Sequence, residues 1–330
     1  MKQISERTGF TMVELLTTIV LVLMFLGILL PAVQSARETA RRSRCAANMR
    51  QLGVAALAFH DAKKSLPPGF TQEDVGSQTQ GHSVFYFLLP FLEEKGVFDR
   101  MDALVPSNNI SAVAGTGAAT LLPILVCPTD IFTAGNPYVA ADGNRFGVTS
   151  YRANGGSRPL AGSEATNDGT FMATGSRARK AATAPLGQLV RLKHITDGTA
   201  KTLLFAESTH VDDNFDTFSA AGFNNGSTIN RWSRWYPGGD DSGLWHLMCG
   251  AFAPVKYETP FRYGESGAPA LADWAIHRDR RLSAIGSLHR KGANALFADG
   301  SVRLLEERMD QSILELICKR ADGQSITDLP

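Results

Sequence analysis

The chain has no excess of either charge. Its 33 Lys and Arg against 32 Asp and Glu leave a formal net charge of +1. A dedicated nucleic-acid binder normally needs a basic face, so no nucleic-acid partner is expected. Cysteine is scarce: Cys45, Cys127, Cys249 and Cys318 are the full set. None of them forms a C-x-x-C pair, which argues against a structural zinc site. There is no internal repeat. Disorder is not the default either, because 44% hydrophobic and 20% charged residues are ordinary for a globular protein. A chain of 330 residues has room for one large domain or two small ones.

Charge is scarcest between Phe10 and Leu30. This run, FTMVELLTTIVLVLMFLGILL, has 21 residues and one charge, Glu14. As a helix it would span roughly 30 Å, the thickness of a bilayer's hydrocarbon core. A buried core helix of this length would normally keep a polar face. A cleaved secretory signal needs a shorter apolar region and a small-residue cleavage site, and Leu30-Pro31-Ala32-Val33 is a poor one. A plain anchor explains the length but not Glu14. A carboxylate inside a membrane helix costs several kcal/mol by order of magnitude and calls for a partner.

Gly9-Phe10-Thr11-Met12-Val13-Glu14 resembles the type IV prepilin motif. The resemblance implies cleavage between Gly9 and Phe10 by a membrane peptidase, and N-methylation of Phe10 by the same enzyme. It makes Glu14 the fifth residue of the mature chain, the position whose carboxylate pairs with the N-terminal amine of a neighbouring subunit. Two opposite charges in an apolar setting are tolerable as a pair, and such a pair fixes register between helices. Pro31, twenty-second from Phe10, matches a proline that kinks pilin-like helices; its plainer role is to end the span. Arg37, Arg41, Arg42, Arg44 and Arg50 follow on the far side. That runs against the positive-inside tendency, and the prepilin orientation takes precedence over it.

Beyond the span, Ala32 to Lys64 continues as a helix. Leu52, Ala55, Ala56 and Phe59 give it an apolar face, and Pro67-Pro68-Gly69 stops it. Val84 to Leu92 reads as helix or strand, and Leu121 to Val126 as a strand. Thr129 to Gly187 reads as long loops between short strands. Lys201 to Glu207 is a buried strand. Asn294–Ala298 and Ser301–Leu305 form a hairpin about Asp299-Gly300. Asp310 to Arg320 is a closing amphipathic helix.

The region after the anchor resembles a bacterial family of unknown function that follows prepilin-type leaders. The family's marker is His, nine residues, then Asp-Gly, here His289 and Asp299-Gly300 in SLHRKGANALFADGSVRLL. The other matching pieces are RSRCAANMRQLGVAALAFHD from Arg42, LPPG from Leu66, LLPFLEE from Leu88, CPTD from Cys127, SYRANGG from Ser150 and ITDGTAKTLLFAE from Ile195. Val211 to Ile276 matches less and reads as an insertion. The motif's label implies a role in processing or assembly. The residues favour a structural one, with Asp299-Gly300 making the turn and His289 bonding a carbonyl or carboxylate. No nucleophile stands beside His289, so no catalytic residue and no enzymatic activity are expected. Cys45 and Cys127 lie in the family-like segments, and a disulfide is expected between them first; an exported domain permits it.

Two further features bear on ligand binding. Asp212, Asn214 and Asp216 alternate like a calcium loop, but Thr217 and Phe223 stand where an EF-hand has Gly and Glu. No metal or other cofactor is therefore assigned, with calcium kept as the one candidate. Trp232, Trp235, Tyr236 and Trp245 cluster in a Gly-rich stretch, where they either stack on a ligand or fill a core.

The expected fold is α+β: a long N-terminal transmembrane helix extending into a pilin-like domain with an antiparallel sheet and long loops. The expected division is leader 1–9, transmembrane helix 10–31, helix extension 32–64 and extracytoplasmic domain 65–330, with 211–276 inserted. The expected function is a prepilin- or pseudopilin-like subunit or accessory of a type II secretion or type IV pilus-like assembly. It would sit in the inner membrane as a single-pass protein with its domain in the periplasm, or enter a filament. Its partners would be prepilin peptidase/methyltransferase, other pilin-like subunits and membrane lipid. The alternative is a membrane-tethered protein that binds a ligand or polymer.

Overall fold

The computed structural model describes residues 11–75, 78–132, 135–159, 166, 168–175, 189–238, 243–265, 267 and 271–324. Gly9 and Phe10, and with them the cleavage and methylation positions, lie outside the described residues.

Helix α1 (Met12–Lys63) is continuous over 52 residues, about 78 Å at 1.5 Å per residue. It begins in a capping box. The Thr11 hydroxyl accepts the Glu14 N–H at 3.3 Å, and the Glu14 carboxylate accepts the Thr11 N–H at 2.9 Å, so two otherwise orphaned donors are satisfied. Pro31 lies inside the helix rather than at its end. The helix stops where Lys64 turns left-handed, at φ 61°, just before Pro67-Pro68-Gly69.

α1 has two halves of different character. Residues 11–37 are all exposed, and Glu38 is the first that is not. One window of the helix is long and apolar enough to cross a membrane, and none of that window is buried against the domain. Farther on, Cys45, Met49, Leu52, Ala55, Ala56 and Phe59 are buried. Their spacing of three and four puts them on one face, as the sequence pattern implied.

That face packs on a five-stranded sheet. Its strands are β1 (Tyr151–Asn154), β2 (Leu203–Glu207), β3 (Met248–Cys249), β4 (Gly292–Phe297) and β5 (Val302–Glu306), in spatial order β5-β4-β2-β1-β3. Every neighbouring pair is antiparallel except β1–β3, which is parallel. The approach of helix to sheet is close. A Cβ on Gly53 would stand 3.1 Å from the Leu296 methyls. All of β2 and β4 is buried, which explains their continuous apolar character.

The β4–β5 hairpin turns at Asp299-Gly300 as expected. Gly300 has φ 84°, a conformation that favours glycine, and the Asp299 carboxylate accepts the Ser301 N–H at 2.8 Å. The closing helix, α4 (Gln311–Cys318), is capped by Asp310. Val84–Leu88 is helical and passes into a 3-10 turn at Leu89–Phe91. One expectation fails. Leu121 to Val126 is not a strand but carries a 3-10 turn at Pro123–Leu125. Pro123 has no N–H for a ladder, and its fixed φ suits the first position of a turn.

The 211–276 segment is part of the core. It supplies helix α2 (Asp213–Ala220), strand β3 and the first six residues of helix α3 (Leu271–Ser283). Trp232, Trp235 and Tyr236 are at most 3% exposed.

Candidate functional site

Five of the family-like segments, those holding Cys45, Cys127, Ser150, Glu207 and His289, converge on one buried place. At its centre Cys45 of α1 is disulfide-bonded to Cys127, 82 residues away in sequence. The bond stitches the anchor helix to the domain. Around it, the Asn48 amide donates to the Val126 carbonyl at 3.2 Å. The Tyr151 hydroxyl donates to the Cys45 carbonyl at 3.4 Å, and the Cys127 N–H to the Ser150 hydroxyl at 3.0 Å.

His289 closes the site. It is fully buried just before β4. Its Nδ1–H donates to Glu38 of α1 at 2.8 Å. Its Nε2 stands 3.5 Å from the Glu207 carboxylate, 3.4 Å from Cys127 Sγ and 3.3 Å from the Thr129 hydroxyl. Glu207, at the end of β2, is 1% exposed. Its other bonds come from Asn294, which donates its backbone N–H at 2.7 Å and its amide at 2.9 Å. Burial disfavours the imidazolium, but the Glu207 and Glu38 hydrogen bonds and charges outweigh it, so the His289 pKa lies above the ordinary histidine value. When His289 is protonated, the arrangement is a cation held between two carboxylates, the form in which a buried carboxylate is tolerated.

This geometry divides the His-to-Asp-Gly motif. The nine residues between His289 and Asp299 contain β4, a strand of six residues that rises about 20 Å. His289 sits at one end with the disulfide, and Asp299-Gly300 forms the hairpin turn at the other. The two ends serve different contacts and do not meet in one site.

Cys45, Cys127, Glu207 and His289 offer donor atoms all within 4.8 Å of one another. With the sulfurs bonded to each other no thiolate is present, and thiolates are what such a metal site requires. Glu38 and Glu207 were missed in the sequence. Glu207 did leave one signal: it is the sole carboxylate ending the apolar strand run TLLFAE.

A second polar cluster lies under the insertion. Arg281 Nε donates to Asp212 at 2.7 Å, and both side chains are buried. Asp212 also caps α2 and accepts the Thr259 N–H at 2.9 Å. Asn214 donates to the Thr259 carbonyl, and Asp216 accepts the Ile229 N–H. The three residues weighed for calcium are thus engaged in separate internal bonds. Arg152 of β1 donates to the Leu282 and Trp232 carbonyls. His210 stands 3.3 Å from Asp130, yet burial pulls its pKa down to about 4 against that charge.

The aromatic cluster faces inward. The Trp235 indole donates to the Thr120 carbonyl, and the Tyr236 hydroxyl meets His82 at 2.8 Å. Trp245 is half-buried beneath the Arg278 guanidinium, 4.3 Å from the ring centre. Cys249 and Cys318 are buried free thiols; burial pushes the Cys249 pKa up to about 12.

Compared with known proteins, residues 34–312 match the family described as "Protein of unknown function (DUF1559)". The match begins beyond the apolar span and includes the disulfide, His289, Asp299 and Gly300. No curated protein matches the chain. No solved structure matches it either.

Proposed function

Since the chain belongs to the DUF1559 family, we propose that it is a prepilin-like membrane protein whose leader is removed before Phe10 and whose mature helix joins a pilus-like or pseudopilus-like assembly. The observation that carries this is the single helix α1. Its apolar half is wholly exposed, its other half is built into the domain core, and no break separates them. Such a rod holds the domain rigidly against whatever the apolar half packs with. The Gly9-Phe10 to Glu14 pattern adds the processing site and the charge that seeks a partner. In the single chain Glu14 is satisfied by Thr11; in an assembly it would exchange that cap for a neighbour's N-terminal amine.

On this account the domain faces the periplasm, and the partners are prepilin peptidase/methyltransferase and other pilin-like subunits. The role is structural rather than enzymatic. His289 is engaged by Glu38 and Glu207, and the one hydroxyl described beside its ring, that of Thr129, lies 3.0 Å from the disulfide sulfur of Cys127. The tethered ligand-binding alternative loses its aromatic support, because Trp232 and Trp235 are interior.

Filament pelleting from cells with an intact secretion or pilus machine tests the proposal. The chain should pellet with filaments or with the other pilin-like subunits, and Glu14→Ala should abolish pelleting while leaving the membrane pool intact. Recovery of the chain solely as a membrane monomer would refute it.

A further inference from the structure

Immediately above the span, α1 carries Arg37, Arg41, Arg42 and Arg44, all exposed. None has a hydrogen-bond or ion-pair partner among the described residues. The only carboxylate between Ala32 and Arg44 is Glu38, and His289 holds it. The positive charge of this stretch is therefore uncompensated. Arg37, Arg41 and Arg44 follow at spacings of four and three, so they form one stripe along the helix. With the hydrocarbon edge at Pro31, Arg37 stands about 9 Å above it and Arg44 about 20 Å. The headgroup layer is about 5–7 Å deep, so the stripe begins just above it, where the Arg37 side chain can reach back to the phosphates, and rises away from it.

At its upper end the stripe borders a hollow of about 610 Å³, within the range of small-molecule sites. Arg41 and Arg44 line one side. Leu121, Pro123, Val126 and Pro128 line the other, and Leu121 is 46% exposed. The Pro123 turn that replaced the expected strand is what presents this apolar ridge to the helix. Guanidinium groups beside an apolar wall, continuous with a membrane surface, match a molecule with a phosphate head and a hydrocarbon tail. Arg binds phosphate through two parallel hydrogen bonds. A soluble anion would leave the ridge unused, and a zwitterionic lipid would not neutralise the stripe.

We propose that this hollow binds one anionic phospholipid drawn from the leaflet beneath the domain. Arg41 and Arg44 take the headgroup phosphate, Arg37 attracts it at the surface, and the Leu121–Val126 ridge covers part of an acyl chain. The inference rests on α1 crossing the membrane as proposed above.

Native mass spectrometry of the full-length chain tests it. The chain is inserted in nanodiscs of equal phosphatidylglycerol and phosphatidylcholine, then released. One phosphatidylglycerol should remain bound per chain, at least about tenfold over phosphatidylcholine. Arg41→Gln/Arg44→Gln should remove that preference, and Leu121→Asp should weaken retention of both lipids; unchanged melting temperatures would show that these exposed positions leave the fold intact. Equal retention of the two lipids would overturn the proposal, as would full preference in the double variant. Displacement of the lipid by millimolar inorganic phosphate or glycerophosphoglycerol would also overturn it, by revealing an anion site indifferent to the tail. Failure of the chain to insert at all would instead refute the membrane span, so the two failures are distinct.

Discussion

The Glu38 carboxylate lies 2.8 Å from His289 Nδ1 across 251 residues of sequence. Glu38 is the first residue of α1 to leave solvent, two turns before the disulfide at Cys45. This hydrogen bond therefore extends the grip of the domain on the helix toward its apolar half.

Removing His289 leaves the Glu207 carboxylate buried without its imidazole partner. His289→Ala should destabilise the domain by roughly 3–5 kcal/mol, the usual cost of breaking a buried pair from one side. Glu38→Gln should cost less than about 1 kcal/mol, because Glu38 is 35% exposed and solvent screens it. Urea unfolding of both variants checks the order; equal losses would place the critical pair at Glu38 rather than Glu207.

Two histidines give opposite slopes with pH. The His289 pKa is raised in the fold, so its contribution is full below the unfolded value of about 6.5 and is lost as pH climbs through the folded value. Burial pulls the His210 pKa down to about 4. Its contribution is present above about 6.5 and is lost as pH falls from there toward 4. The urea midpoint should therefore be highest near neutrality. His210→Gln should flatten the acid limb and His289→Gln the alkaline limb; a profile unmoved by either substitution would contradict the assignments.

The disulfide closes a long loop. For a separation of 82 residues, the chain-entropy model gives about 4.5 kcal/mol. Cys45→Ser/Cys127→Ser should lose stability of that order. A thiol reagent should label neither Cys249 nor Cys318 in the folded protein, since both are buried. Rapid native labelling at either position would count against the packing described.

The two ends of the His-to-Asp-Gly motif should behave independently. Gly300→Ala places a side chain at φ 84° and should cost about 1–2 kcal/mol. Combined with His289→Gln, the losses should add within about 0.5 kcal/mol. A larger coupling would show that the motif acts as one unit.

Much of this was legible in the sequence, for physical reasons that differ by element. The span is a matter of composition and needs no tertiary information. Leu52, Ala55, Ala56 and Phe59 betray their buried face by helical spacing, and Asp299-Gly300 announces its hairpin by turn chemistry. The pairing of Cys45 with Cys127 came from the likeness of their segments to a family and not from their spacing. Pro123 was legible and was overlooked: a missing N–H was outweighed by the apolar residues around it. Glu38 was not legible. It sits among arginines on a polar stretch of helix, and only the return of β4 to that helix makes it a partner. The burial of Trp232 and Trp235 was equally hidden, because a Gly-rich stretch of aromatics reads the same whether it lines a surface or a core.

The central claim is that the mature chain begins at Phe10, two residues before α1. Mass spectrometry of the N-terminal peptide from the native protein tests it most directly. The account predicts a chain starting at Phe10 with one methyl group on its amine, and an uncleaved leader when Gly9 is replaced by a bulky residue. A native chain that still begins at Met1, or a methylated Phe10 terminus in the Gly9 variant, would contradict it.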